Sequence, residues 1–176
     1  CAAGPEPPQN SSSPLPEQIL PIPQPSVSTL GFMPSGGERA VTQIAAGSFN
    51  SLFIESDGSL WGMGENHSGQ LGDGSFDPPV PPVMILSNGV TAVATSRSYN
   101  PAGTPGAHTL FVRSDGSLWG MGRNDYGQLG DGTFTTTNRP QQITSNAVVA
   151  VTAGYFHSLF LKSDGSLWAM GHNHYG

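Results

Sequence analysis

A single cysteine, Cys1, leaves the chain without a disulfide framework or a zinc site built on paired cysteines. Cations are scarce too: six Lys plus Arg stand against twelve Asp plus Glu, a formal net charge of −6. They are scattered rather than clustered, so the basic footprint of a nucleic-acid binder is missing and no nucleic-acid partner is expected. No stretch approaches the roughly 18 apolar residues of a membrane helix, which excludes a transmembrane segment of that kind. Long windows free of glycine and proline are also lacking, which excludes a helical bundle. The glycine-rich runs do not end in Gly-Lys-Ser/Thr, and no Gly-x-Ser-x-Gly elbow occurs. Phosphate-loop and serine-hydrolase chemistry are therefore not expected.

What the chain has in excess is turn-forming residues. Its 24 glycines and 16 prolines, in 176 residues, are nearly double the usual combined background of about 12%. Nine of the prolines fall in residues 1–39, with six serines, one aromatic (Phe32) and no lysine. Spacing such as Pro21-Ile22-Pro23-Gln24-Pro25 favours polyproline II, and too little apolar surface is present to offset ordering entropy. Residues 1–39 are thus expected to be a disordered, semi-rigid tether, and residues 40–176 the folded part.

That folded part repeats itself. Ser56–Phe76 (SDGSLWGMGENHSGQLGDGSF) and Ser114–Phe134 (SDGSLWGMGRNDYGQLGDGTF) are identical at seventeen of 21 positions, and Ser163–Gly176 opens a third copy. A second shared block precedes each, beginning at Val41, Ala107 and Val148. Alternation around Val149 and Val151 reads as a half-buried strand, and His157–Lys162 as another. Asp57-Gly58, Asp115-Gly116 and Asp164-Gly165 each sit between β-prone runs, a hairpin signal whose glycine supplies positive φ. Gly69 to Gly74 and Gly127 to Gly132 form loops in which Leu71 and Leu129 can plug back onto the core. Short strands in a unit of roughly 50 residues predict one antiparallel sheet per repeat, stacked or radially arranged.

The third unit runs Ala153-Gly154, His157-Ser158, Asp164-Gly165, Trp168, Gly171, Asn173 and Tyr175-Gly176. The second continues Tyr126-Gly127-Gln128-Leu129-Gly130-Asp131-Gly132. This pattern resembles the regulator of chromosome condensation repeat over about residues 41–176. The resemblance implies an all-β propeller, seven-bladed in the family, with four-stranded blades. Two full repeats and part of a third make the expectation an incomplete arc, a piece of a longer protein. Two departures stand out: Asn50 replaces the repeat's histidine, and nine extra residues fall between Ser96 and His108.

Residues that could carry chemistry are weighed against plainer roles. Trp61, Trp119 and Trp168, with Met63, Met121 and Met170 two positions on, read as blade-to-blade core. His108 and His157 lack partner ligands at fixed spacing, and the resemblance implies a structural hydrogen-bonding role for them. His172 and His174 share a face but want a third ligand. Asp73 and Asp131 each bring one repeated carboxylate, far short of the six to eight oxygens of a calcium site. No catalytic residue, metal or cofactor is expected.

The function expected is protein–protein binding through loops, without catalysis. The insertion Arg97–Ala107 breaks the repeat symmetry, which makes Arg97, Tyr99 and Asn100 the candidate contact residues. The resemblance implies an alternative, nucleotide exchange on a small GTPase as in the family's namesake; carbohydrate binding at a cell surface is a third. The near-identical repeats, the acidic balance and a tail with one cation, Arg39, speak against a chromatin-docking member, and the resemblance is better to the bacterial and generic branch of the family. Cys1, followed by Ala2-Ala3-Gly4 and the tether, looks like the lipid-bearing first residue of a mature bacterial lipoprotein. That places the expected location outside the cytoplasm, at the cell envelope or secreted, with simple truncation and a cytoplasmic site as the alternative.

Overall fold

A computed structural model describes residues 39–78, 82–97 and 107–174, all within the unit Pro34–Gly176. Residues 1–38 of the expected tether, Cys1 among them, and Tyr99 and Asn100 lie outside the described residues; Arg39, the tether's last residue, pairs with Asp57 at 2.9 Å. The described residues form eleven strands and no helix. Strands β1 (Val41–Ala46), β2 (Asn50–Glu55), β3 (Leu60–Gly64) and β4 (Val83–Leu86) make one antiparallel sheet in sequence order. A second sheet repeats the order with β5 (Val90–Thr95), β6 (His108–Arg113), β7 (Leu118–Gly122) and β8 (Thr137–Thr144). A third holds β9 (Val148–Ala153), β10 (His157–Lys162) and β11 (Leu167–Gly171). Each first strand packs beside the first strand of the next sheet, which is an arc of propeller blades.

The Asp-Gly hairpins form where the sequence places them, but as three-residue loops. In the first, the Gly58 N–H donates to Glu55 O at 2.9 Å and the Glu55 N–H to Ser59 O at 3.1 Å. Only the glycine is left-handed, with φ of 79°, 78° and 86° at Gly58, Gly116 and Gly165. This is the turn-plus-bulge form of a hairpin rather than a two-residue primed turn. The aspartate closes it. Asp57, Asp115 and Asp164 each accept the N–H of the serine two residues on at 2.9 Å. That serine's Oγ accepts the indole N–H of the following tryptophan at 2.9, 2.8 and 3.0 Å. The serine hydrogen bonds hold all three carboxyls below the ordinary aspartate value.

The same turn clamps one blade to the next. A Cβ on Gly58 would stand 2.8 Å from the Gly89 nitrogen, and one on Gly116 would stand 2.9 Å from that of Ala147. Gly58 O accepts the Val90 N–H at 2.9 Å, and Gly89 O in turn accepts that of Ser114 at 2.8 Å. The second link repeats this with Val148 to Gly116 at 3.0 Å and Ser163 to Ala147 at 2.8 Å. Ala147 holds the left-handed place of Gly89, with φ of 67°, a conformation that crowds its Cβ. Ala147→Gly is expected to stabilise the chain by about 0.5–1 kcal/mol, strain relief outweighing the added unfolded-state freedom. A urea titration should show a higher midpoint at unchanged slope.

Two apolar clusters separate the three blades. Leu52, Ile54, Leu60 and the loop plug Leu71 meet Phe111 and Met121 of the second blade. Leu110, Val112, Leu118 and the plug Leu129 meet Phe160, with Met170 packed alongside. Gly62 makes room for the first plug, since a Cβ there would come within 2.9 Å of Leu71 and 3.0 Å of Ile85. The tryptophans sit further out than the sequence reading places them. Trp119 is half-buried against the first cluster and Trp168 is 50% exposed, whereas Phe111 is fully enclosed. The reason is register. Trp119 pairs with Phe111 across the sheet and stacks on it at 6.4 Å, and the phenylalanine of the pair takes the buried place. Among the described residues no strand pairs with the outer edge of β11, which leaves Trp168 and Leu167 open.

Candidate functional site

Antiparallel order sends the connections to two opposite ends of the blades. The Asp-Gly turns and the inter-blade links share one end. The other connections share the opposite end, among them residues 47–49, 65–78, 123–136 and 154–156. Arg97, the first residue of the candidate insertion, follows β5 at this end and is exposed; residues 98–106 lie outside the described residues.

The loops that follow β3 and β7 are each organised around one buried asparagine. Asn124 Oδ1 accepts the Leu129 N–H at 2.9 Å, which seats the plug. Its Nδ2 donates to Asp131 Oδ1 at 3.1 Å and to Thr133 O at 3.1 Å. Asn66 does the same for Leu71, Asp73 and Ser75. Gln128 Oε1 caps the Tyr126 N–H and Gln70 Oε1 that of Ser68, both at 2.9 Å. Gly130 packs directly on Met170 of the next blade. Asp73 and Asp131 thus serve their own loops, each accepting from the backbone and hydroxyl of the residue two positions on. Gly127 turns the same loop with φ of 72°. Among the described residues no group of three or more His, Cys, Asp or Glu is placed to hold a metal ion.

A polar contact crosses each blade junction beneath the loops. His108 is fully buried, and its Nε2 lies 2.7 Å from Ser158 Oγ. That hydroxyl spends its one proton on Gln128 O at 2.8 Å, so the imidazole must donate through Nε2. Burial, with His157 nearby as the lesser cause, drives the His108 pKa down to about 4. At the first junction Asn50 takes this place and donates to Thr95 Oγ1 at 2.8 Å. His157, at the equivalent point of the third blade, is exposed.

Above the second junction lies a cluster that the sequence reading passes over. The Tyr126 ring is 4.8 Å from Phe156 and 4.8 Å, edge-on, from His172. Tyr155 meets Phe156 at 4.5 Å, and His174 stacks on His172 at 5.8 Å. The Arg123 guanidinium stands 5.8 Å from the Phe156 centroid while its Nε donates to Asp125 at 2.7 Å. Tyr126 is 39% exposed and His172 is exposed. At the first junction Ser68, Ala107 and Arg123 occupy the places of Tyr126, Phe156 and His172, so the cluster is specific to the second. The signal was available in the repeat comparison, where Tyr126 faces Ser68, but only the junction brings Tyr126 and His172 together. His172 and His174 come together as a stacked aromatic pair. A concave opening of about 780 Å³ beside Leu159, Ala169 and His157 lies where blades one and two receive the next blade. Tyr155, Phe156, His172 and His174 of the cluster line it as well.

Residues 115–161, and separately 41–70 and 148–176, match the family described as the Regulator of chromosome condensation (RCC1) repeat. The human E3 ubiquitin-protein ligase HERC2 is 30% identical over 125 residues, which is 70% of this chain and 2% of that protein. The Caenorhabditis elegans X-linked retinitis pigmentosa GTPase regulator homolog is 37% identical over 99 residues, 54% of this chain and 6% of that one. Among solved structures, human WBSCR16 superposes with a TM-score of 0.65 at 28% identity, covering 75% of this chain and 33% of its own. Yeast RCC1 (Prp20) bound to Kap60 gives 0.64 at 22% identity, a likeness of fold, over 80% and 32%. The chain therefore spans about a third of these solved chains and far less of the two curated relatives. These relatives are eukaryotic, and nothing in them supports the bacterial branch expected from the resemblance. With three consecutive blades built on the repeat's own turn, plug and junction residues, the chain belongs to the regulator of chromosome condensation repeat family.

Proposed function

We propose that this arc of blades binds a protein partner through its loop end, without catalysis. The observation that carries the reading is the Tyr126–Phe156–His172 cluster: exposed aromatic surface on a rigid base, present at one junction and absent from its sister. Tyrosine and arginine are the residue types on which interface energy concentrates, and loops on a fixed scaffold are where recognition surfaces form. Exposed Arg97, at the same end, extends the candidate surface.

The test borrows from the repeat itself. Tyr126→Ser and His172→Glu install the residues that stand at Ser68 and Glu65 in the first blade, so the fold should tolerate both. With a partner captured from native extract and then purified, the double variant is expected to bind about tenfold or more weakly, the loss typical of an aromatic hot spot. Unchanged affinity, with binding abolished by deleting residues 99–106, would move the site to the insertion. A second reading, regulation of a small GTPase, is favoured by the 37% identity to the GTPase regulator homolog. Accelerated release of labelled GDP from the captured partner would select it.

A further inference from the structure

The two inter-blade links are sister turns with one chemical difference. Ser87-Asn88-Gly89-Val90 joins the first blade to the second, and Ser145-Asn146-Ala147-Val148 joins the second to the third. Both are held by the same pair of backbone bonds, and both place the residue after asparagine in the left-handed region, with φ of 78° and 67°.

We propose that Asn88-Gly89 is a self-modification site, at which the asparagine amide is lost to the backbone of its own link. The Gly89 nitrogen gives up its proton and forms a bond to Asn88 Cγ. The Cγ–Nδ2 bond breaks, ammonia leaves, and a five-membered succinimide remains. Solvent water then adds to one of the two ring carbonyls and the ring C–N bond opens. One opening restores a normal peptide with an aspartate side chain; the other routes the main chain through the side-chain carbon. No oxidant or cofactor enters.

Four features make the first link reactive. Asn88 is exposed, and its amide has one weak hydrogen bond, to Ser87 Oγ at 3.5 Å, so little holds it in place. The link's neighbouring groups are tied, Gly89 O by Ser114 and the Val90 N–H by Gly58, but among the described residues nothing accepts the Gly89 N–H. Glycine puts no side chain beside the attacking nitrogen and lets the backbone swing toward the amide. The space is also open, since a Cβ at Gly89 would meet nothing nearer than Arg113 Nη2 at 3.6 Å. In the sister link the Ala147 methyl crowds the same nitrogen. Asparagine is a thermolabile residue in general, and this placement makes one copy far more labile than the other.

The consequence is local and physical. The rerouted main chain adds one atom to the link that clamps the first two blades, loosening the bonds to Gly58 and Ser114.

The experiment incubates the folded chain in mildly alkaline heavy-oxygen water and maps its peptides by mass spectrometry. The peptide holding Asn88 should lose its amide, take up heavy oxygen and split into two isomers, while the peptide holding Asn146 keeps its amide over the same interval. Gly89→Ala, a residue the sister link already carries in this conformation, should abolish the conversion. Survival of the Asn88 amide for as long as that of Asn146 would overturn the proposal, as would undiminished conversion in Gly89→Ala.

Discussion

Replacing Phe111 by alanine is expected to cost about 3–5 kcal/mol, the usual range for emptying a large enclosed aromatic site. Phe111 is fully buried between the first two blades, against Leu52, Ile54, Leu60 and the plug Leu71. Its loss removes apolar area and leaves a void that the flanking backbone, clamped by the Gly58–Val90 and Gly89–Ser114 bonds, cannot close. Trp119→Ala should cost less, because that ring is half-buried and lies over Phe111 rather than inside the cluster. Chemical denaturation of the two variants side by side checks the order. A larger loss for Trp119 would mean that the indole, not the phenylalanine, is the blade-to-blade anchor.

Acid should loosen the second junction at a higher pH than it reaches Asp57, Asp115 and Asp164. His108 is held neutral in the fold, with its pKa lowered from 6.5 to about 4, so only the unfolded chain takes up its proton in that interval. Stability is therefore complete above pH 6.5 and falls as the pH drops toward 4, by at most about 3 kcal/mol for a shift of this size. Asp57, Asp115 and Asp164 act in a separate window. Their lowered pKa values mean that what they add is lost only below the ordinary aspartate value of 3.8. His108→Asn, which copies Asn50 at the first junction, should flatten the profile between pH 6.5 and 4. Urea midpoints across that range decide it; an unchanged slope in the variant would assign the acid loss to other groups.

The amino-acid sequence by itself determined the repeat, the Asp-Gly hairpins and the loop plugs. Each of these is local: a glycine supplies positive φ, an aspartate and serine close the turn two residues on, and a lone leucine in a polar loop has the core as its only dry destination. Near-identity between Ser56–Phe76 and Ser114–Phe134 was enough to make the family recognisable. What the sequence could not decide was which partner each side chain meets across a junction. Strand register put Phe111 in the enclosed place and Trp119 over it, though both are large aromatics on β-prone runs. His108 and Ser158 lie 50 residues apart, and only the stacking of one blade on another turns them into a hydrogen bond and makes the imidazole an acid-sensitive group. Tyr126 and His172 come together for the same reason. A position's place in the repeat is written in the sequence, whereas its neighbours are set by the rotation from one blade to the next, which is a property of the packed sheets alone.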